Sequence, residues 1–280
     1  MDFYSKYQFW VEDDYFDEET KKELLLIKNN KKEIEDRFYK DLEFGTAGLR
    51  GLIGAGTNRI NKYIVRKVSQ GLANYIIKKG SDYIKRGIVI AFDSRYKSSE
   101  FALEAALVFA ANGINTWLFD ELRPVPVLSF AIRHLNAAAG VAITASHNPK
   151  EYNGYKAYGE DGAQLLPEES DLLLKEVEKI KDFSQVKTID YDKAVKTGLL
   201  NIIDKSVDDK YIDTIKKYSL NPEIIKEQSK NFTIIYTPLN GAGNIPVRRI
   251  LKEIGFENVY VVREQENPDP NFSNLKMPNP

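Results

Sequence analysis

Apolar residues recur at helical spacing in the first 42 residues and again from residue 60 to residue 79. In the second stretch they follow one another every three or four positions, which predicts one amphipathic helix. In the first stretch, Asp17 precedes a helical pattern and is a typical N-cap residue. Residues 1–42 are therefore predicted to form a helical N-terminal extension.

Short apolar runs and helical patterns alternate from residue 87 onward. The predicted strands are 87–92, 116–119 and 138–144, and the predicted helices are 99–112, 127–135 and 167–180. This alternation predicts an α/β fold with a mixed, largely parallel sheet sandwiched by helices. A Glu-Asp-Gly turn at 160–162 divides two short strand-like runs within 155–165, which predicts a hairpin on that sheet.

The pattern restarts after a polar stretch at 182–208. Residues 232–236, 243–254 and 259–262 repeat the order strand, helix, strand found at 88–119, which indicates a weak internal repeat of one α/β unit. The second copy runs into a proline-rich end, and one βαβ unit can hardly bury its own core. We therefore expect tandem similar domains at 43–205 and 206–280, the second one truncated.

Charge and composition narrow the class of protein. The chain has 280 residues, with 40 basic and 41 acidic side chains and a net charge of −1, so neither nucleic acid nor an anionic membrane is expected as a partner. With no cysteine and only His134 and His147, disulfides and histidine-based zinc sites are not expected. We find no run of about 20 apolar residues and no apolar leader segment, so a cytoplasmic location is predicted.

The most informative segment is residues 143–156, ITASHNPKEYNGYK. Ser146 follows directly on a predicted strand, at the carboxyl end where open α/β sheets bind ligands. The dipeptides Asn148-Pro149 and Asn153-Gly154 favour turns that bring Lys156 back towards Ser146. The alternative is an ordinary polar turn on the protein surface.

Ser146 and His147 do not predict a hydrolase. Adjacent side chains of an extended segment point to opposite faces, so His147 would be poorly placed as a base for its neighbour. The sequence also lacks the G-x-S-x-G motif.

Two further segments carry a cation among small or polar residues. Residues 44–56 contain five glycines, a density incompatible with the interior of a regular element, and they include Arg50. Asp93-Ser94-Arg95 follows a predicted buried strand. Structural turns, or a helix cap with a solvated arginine, would explain each segment alone. Together with the Ser146 segment, they favour phosphate binding and transfer.

These motifs resemble those of a known family. TASHNP at 144–149, followed by YNGYK at 152–156, is similar to the phosphoserine loop of the α-D-phosphohexomutases. FGTAGLRG at 44–51 resembles their opening motif, and Asp93-Ser94-Arg95 resembles a third signature. The chain is most similar to the phosphoglucomutase branch, which also contains phosphomannomutase and phosphopentomutase-like members.

The resemblance implies a four-domain enzyme that interconverts glucose 1-phosphate and glucose 6-phosphate through a phosphoserine and a sugar bisphosphate. It implies that Ser146 is the phosphorylated residue and that Lys156 assists proton transfer. Arg50, His147 and Arg95 would be substrate-binding residues. Mg²⁺ would be bound by the phosphate on Ser146, and glucose 1,6-bisphosphate would be the activator and intermediate.

The sequence lacks several features that the resemblance leads us to expect. The aspartate-rich magnesium loop of the type D-x-D-x-D-R, the sugar-selecting loop and the phosphate-binding fourth domain are absent from the sequence. We therefore expect an N-terminal fragment that is inactive alone and whose partners are a sugar phosphate and the missing C-terminal domains. Phosphomannomutase or phosphopentomutase specificity, or a non-catalytic sugar-phosphate-binding protein on the same fold, are the alternatives.

Overall fold

The computed structural model describes residues 2–45, 48–275 and 277–279. Thr46 and Ala47, which belong to the predicted opening motif, lie outside the described residues. The helices are α1 Phe3–Glu12, α2 Glu18–Leu26, α3 Lys31–Phe38, α4 Lys62–Lys79, α5 Ser81–Arg86, α6 Ser98–Ala111, α7 Val125–His134, α8 Pro167–Glu178, α9 Tyr191–Lys196, α10 Lys205–Lys216, α11 Pro222–Gln228 and α12 Asn244–Glu253. The strands are β1 Phe44–Gly45, β2 Gly48–Leu52, β3 Ile88–Phe92, β4 Thr116–Phe119, β5 Ala139–Ile143, β6 Tyr152–Tyr158, β7 Leu200–Ile203, β8 Thr233–Tyr236 and β9 Asn258–Val261.

The main sheet has the order β1-β2-β6-β5-β3-β4-β7 within the described residues. Strands β5, β3, β4 and β7 are parallel, whereas β1, β2, β6 and β5 pair antiparallel. The predicted α/β class with a mixed sheet is therefore confirmed. Its parallel side places the carboxyl ends of β3 and β5 next to each other, which is where the candidate site lies.

Helices cover both faces of this sheet. Ile88 and Ile90 of β3 pack with residues of α4, α6 and α8 in one hydrophobic cluster. The intervening Val89 and Ala91 pack with α7 and α10 in a second cluster. This alternation follows from the two-residue period of a strand and explains why β3 is apolar throughout.

The glycine-rich segment at 44–56 is not the loop that its composition predicts. It contains β2, which pairs antiparallel with β6. Two of its glycines allow close approach: a Cβ at Gly48 would lie 2.4 Å from the Tyr155 carbonyl oxygen, and one at Gly51 would lie 2.8 Å from Leu42 Cδ2. Gly48 also has a φ of 89°, which favours glycine. Glycine in this strand therefore marks tight packing of neighbouring backbone and side chains.

The hairpin predicted at 155–165 is present but short. Tyr158 and Gln164 form an antiparallel bridge, and the N–H groups of Gly159 and Leu165 donate to the carbonyl oxygens of Ala163 and Ala157. A longer hairpin, which the sequence analysis did not predict, joins β5 to β6 with the register Ala142 to Lys156. Its connection, residues 144–151, is called the Ser146 loop below.

The N-terminal extension is helical, as predicted, and is attached to the first domain by aromatic packing. Trp10 is buried and stacks on Phe16 with ring centroids 4.3 Å apart. Trp10 also meets Phe38 of α3 and Tyr63 of α4 edge to face, at 5.7 and 5.5 Å. Asp17 caps α2 through the backbone N–H of Thr20. The extension and α4 therefore share one cluster.

The stretch at 182–208 contains structure that its polar composition hides. Strand β7 extends the main sheet beside β4, and Val207 of α10 belongs to the second cluster. The predicted domain boundary between residues 205 and 206 stays a prediction. Val207 lies beyond that boundary but packs in the second hydrophobic cluster, against the main sheet.

The second α/β unit consists of β8, α12 and β9, with the two strands parallel. Apolar side chains on it are open to solvent, including Ile235, Ile245 and Tyr260, which are 76%, 64% and 61% exposed. None of the helices in the described part of the chain is long and apolar enough to cross a membrane.

Candidate active site

Ser146 lies at the carboxyl end of β5 with a left-handed backbone. Its φ is 59°, a conformation that a non-glycine residue adopts at some cost. Its backbone N–H donates to Thr144 Oγ1 at 2.9 Å. Ser146 also borders a cavity of about 250 Å³ that Asp93 and Thr144 line as well. Ser146 therefore borders a cleft whose lining includes polar side chains as well as apolar ones.

His147 lies closer to Ser146 Oγ than the extended geometry assumed from the sequence allows. The distance from Ser146 Oγ to His147 Nδ1 is 3.4 Å. The assumption of opposite faces was wrong because the left-handed φ of Ser146 rotates the chain at this point. Both polar groups therefore lie on one side of the loop.

Arg50 reaches the Ser146 loop from β2 rather than from a loop. It is paired with Gly154 of β6, and its Nη1 donates to Asn148 Oδ1 at 3.3 Å. A Cβ at Gly154 would lie 2.6 Å from the Thr144 carbonyl oxygen and 3.2 Å from Arg50 Cγ. Glycine at 154 therefore lets the arginine cross the strand. Nε of Arg50 is buried and has no hydrogen-bond partner among the described residues.

Lys156 lies two positions further along β6, on the same face as Gly154 and Arg50. The residue is 9% exposed. Burial lowers the pKa of Lys156 and the Arg50 guanidinium lowers it further, while Asp93 opposes both effects. A buried ammonium beside a second cation loses a proton more readily than an ordinary lysine.

Arg95 is buried beneath the Ser146 loop. Its Nη2 donates to the carbonyl oxygens of Ser146 and Asn148 at 2.9 and 2.6 Å. Its Nη1 donates to those of Pro149 and Tyr152 at 2.8 and 3.1 Å. Both Nη atoms of Arg95 therefore donate their hydrogen bonds to backbone carbonyl oxygens. The prediction that Arg95 binds substrate stays untested. The contacts show that Arg95 binds the backbone of the Ser146 loop.

Sequence reasoning missed the polar residues that join these elements. Asn153 donates to the Tyr96 carbonyl and to Ser98 Oγ at 3.0 and 2.9 Å, which ties the start of β6 to the start of α6. Asp93 Oδ1 accepts from Ser98 Oγ at 2.7 Å. The only sequence signal for Asn153 is the Asn153-Gly154 dipeptide, which by itself predicts a turn.

Among the described residues, no group of three or more aspartate, glutamate, histidine or cysteine side chains could hold a metal ion. The carboxylate nearest to Ser146 in this network, Asp93, is occupied by Ser98 and Arg95. The described residues therefore do not by themselves fit a Mg²⁺ ion.

Two family models match the chain. Phosphoglucomutase/phosphomannomutase, alpha/beta/alpha domain I, matches residues 41–183, and domain II of the same family matches residues 209–280. The chain is 35% identical over 265 residues to phosphopentomutase from Homo sapiens, covering 91% of the chain and 42% of that protein. It is 39% identical over 239 residues to phosphoglucomutase from Staphylococcus saprophyticus, covering 85% of the chain and 42% of that protein.

Solved structures agree with this match. A putative phosphomannomutase from Thermus thermophilus superposes with a TM-score of 0.68 at 25% identity, over 84% of this chain and 48% of that one. Phosphoglucomutase from Paramecium (pp63/parafusin, open form) superposes with a TM-score of 0.66 at 19% identity, over 86% of this chain and 46% of that one, which shows the fold alone.

Fold and site together define the α-D-phosphohexomutase type of α/β protein. The chain belongs to the phosphoglucomutase/phosphomannomutase family and carries its N-terminal portion. It spans about two-fifths of the length of the curated relatives it matches.

Proposed function

We propose that this chain supplies the phosphoserine domain of a phosphosugar mutase that interconverts glucose 1-phosphate and glucose 6-phosphate. One observation carries the proposal: Ser146 stands at a strand end beside His147, while Arg50 and Lys156 share one face of the adjoining strands. This arrangement supports the proposal because it combines a nucleophilic oxygen, an anion-binding cation and a proton-transfer group on neighbouring strands and their connecting loop.

In the proposed step, the bond from phosphorus to Oγ of phosphorylated Ser146 breaks as a sugar hydroxyl oxygen bonds to phosphorus. The hydroxyl proton passes to the neutral amine of Lys156, whose lowered pKa makes that form accessible. Arg50 and His147 hold the phosphate. The sugar bisphosphate then turns and returns its other phosphate to Ser146, while Lys156 gives the proton back.

Mg²⁺ and glucose 1,6-bisphosphate are part of the proposal. Bound to the phosphate on Ser146, Mg²⁺ would neutralise charge during transfer. The remaining ligands would come from outside the described residues, since these form no metal site. For this reason we propose that the 280-residue chain alone is inactive. A cytoplasmic location stays a prediction.

A substrate panel tests the function. We expect the full-length enzyme, with Mg²⁺ and glucose 1,6-bisphosphate, to convert glucose 1-phosphate in a coupled assay, and the 280-residue chain to give background. Mannose 1-phosphate and ribose 1-phosphate are run in parallel because one relative is a phosphopentomutase and one structural neighbour a putative phosphomannomutase. Faster turnover of either would correct the substrate, and no turnover of any would refute the mutase assignment.

Lys156→Met is expected to lower kcat of the full-length enzyme by about 10²- to 10⁴-fold, the usual range for loss of a general acid or base. Lys150→Met, which removes an exposed ammonium from the Ser146 loop, is the control for charge loss and should stay within about threefold. If Lys156→Met also stayed within about threefold, proton transfer by Lys156 would be excluded.

The same variant has a pH-dependent effect on stability. Because folding lowers the pKa of Lys156, the unfolded chain holds this proton more tightly, and wild type gains stability as pH rises towards the ordinary value of 10.5. Lys156→Met should therefore be the more stable chain near pH 7, by a margin that shrinks towards pH 10.5. Urea unfolding of both chains at several pH values measures this, and a margin that grew with pH would contradict it.

A further inference from the structure

The Arg95 guanidinium satisfies an unusual set of acceptors. Four backbone carbonyls surround it, from Ser146, Asn148, Pro149 and Tyr152. They span the whole Ser146 loop and the first residue of β6. A guanidinium has four Nη hydrogens, and this geometry gives each of them an acceptor. Direct binding of a substrate phosphate would require Arg95 to release part of the loop.

Arg95 is fixed from the opposite side by Asp93. Its Nε lies 3.3 Å from Asp93 Oδ2, an ion pair in which Nε makes no hydrogen bond, and the Arg95 side chain is 1% exposed. Asp93 Oδ1 accepts from the Arg95 backbone N–H at 3.0 Å as well as from Ser98 Oγ. A buried guanidinium is costly unless it is paired, and here the carboxylate and the carbonyls provide the pairing.

An aromatic ring closes this arrangement. The ring of Phe272, which is 7% exposed, lies 5.3 Å from Arg95 Cζ. A cation against an aromatic face gains electrostatic attraction, and the ring also keeps water from the guanidinium. In such surroundings, hydrogen bonds from a charged donor are stronger than in water.

We propose that Arg95 is a positioning residue that holds Ser146 in its left-handed conformation by binding the loop backbone, and that it does not bind the sugar phosphate. The Ser146 carbonyl, held by Nη2, belongs to the same residue whose φ is 59°. The guanidinium therefore stabilises the conformation that presents Oγ to the cleft. For its kinetic consequence, this inference rests on the proposed mutase function.

Amide hydrogen exchange tests the holding role on the 280-residue chain. In wild type, residues 144–151 should exchange more slowly than residues 218–221, where Tyr218 and Leu220 are 72% and 90% exposed. Arg95→Gln and Arg95→Lys should each speed exchange in 144–151 at least about tenfold, because neither side chain supplies the planar fork of donors. Arg123→Gln is the matched control, since Arg123 is also buried but binds Asp208 and Asp120.

Two outcomes would contradict the proposal, and the first needs only the wild-type chain. If residues 144–151 of wild type exchanged as fast as 218–221, nothing would hold the loop. If both Arg95 variants left the loop's exchange unchanged, or if Arg123→Gln sped it equally, Arg95 would not be what holds it.

Kinetics separate positioning from substrate binding. In the full-length enzyme, Arg95→Gln and Arg95→Lys should lower kcat at least about tenfold and leave KM for glucose 1-phosphate within about threefold. A KM raised about tenfold or more with kcat retained would make Arg95 a substrate-binding residue and refute the proposal. Lack of turnover by wild type would instead refute the mutase function, and the exchange measurement would still decide the role of Arg95.

Discussion

Ser146→Ala is expected to abolish turnover of the full-length enzyme, lowering kcat by more than about 10⁴-fold. In the proposed mechanism Ser146 Oγ carries the phosphoryl group, so alanine removes the nucleophile itself. The Ser146 loop should keep its conformation in Ser146→Ala, because Arg95 and Thr144 bind the backbone of residue 146 and not its side chain. Among the described residues, the only hydrogen bond of the Ser146 side chain, to His147 Nδ1, is 3.4 Å long.

Two measurements check this expectation. The coupled assay with glucose 1-phosphate measures kcat, and intact mass after treatment with glucose 1,6-bisphosphate shows whether one phosphate is bound. Ser184→Ala, at an exposed position outside the Ser146 loop, is the control and should keep both the activity and the phosphate. Turnover within about tenfold of wild type, or a phosphate retained by Ser146→Ala, would remove Ser146 from its role.

Much of the fold follows from periodicity alone. Strands β3, β4 and β5 lie close to their predicted positions, because apolar runs bounded by polar turns leave few other solutions. The errors arise where one residue type serves two purposes. Glycine allows both a positive φ and a close approach: Gly51 serves the second use, whereas Gly48 serves both, with a φ of 89°. The partner of β6 was missed because strand pairing depends on contacts that sequence order does not specify.

The roles predicted for the site residues stay predictions, but part of their placement follows from sequence. Ser146 follows β5 as predicted, whereas Arg50 lies within β2 rather than in a loop, and Lys156 lies within β6. The left-handed φ of Ser146 and its distance to His147 could not be predicted, since they depend on the path of the loop backbone. The acceptors of Arg95 are backbone carbonyls, which every residue has, so no sequence pattern indicates them.

The N-terminal extension is attached by packing, and this gives the largest expected effect on stability. Trp10 is 1% exposed and contacts Phe16, Phe38, Tyr63 and Phe183, so it joins three parts of the chain. Trp10→Ala should lower the free energy of unfolding by about 3–5 kcal/mol, the usual cost of removing a buried aromatic side chain.

The chain offers both a probe and a control for this measurement. Trp117 becomes the single remaining tryptophan in Trp10→Ala, so its fluorescence during urea unfolding reports on the main sheet rather than on the extension. Leu26→Ala, at a position 87% exposed on α2, should change stability by less than about 0.5 kcal/mol. Because Tyr63 belongs both to this aromatic cluster and to α4, loss of Trp10 should lower the urea midpoint reported by Trp117. A cost below about 1 kcal/mol by that probe would mean that the extension folds independently of the sheet that carries Ser146.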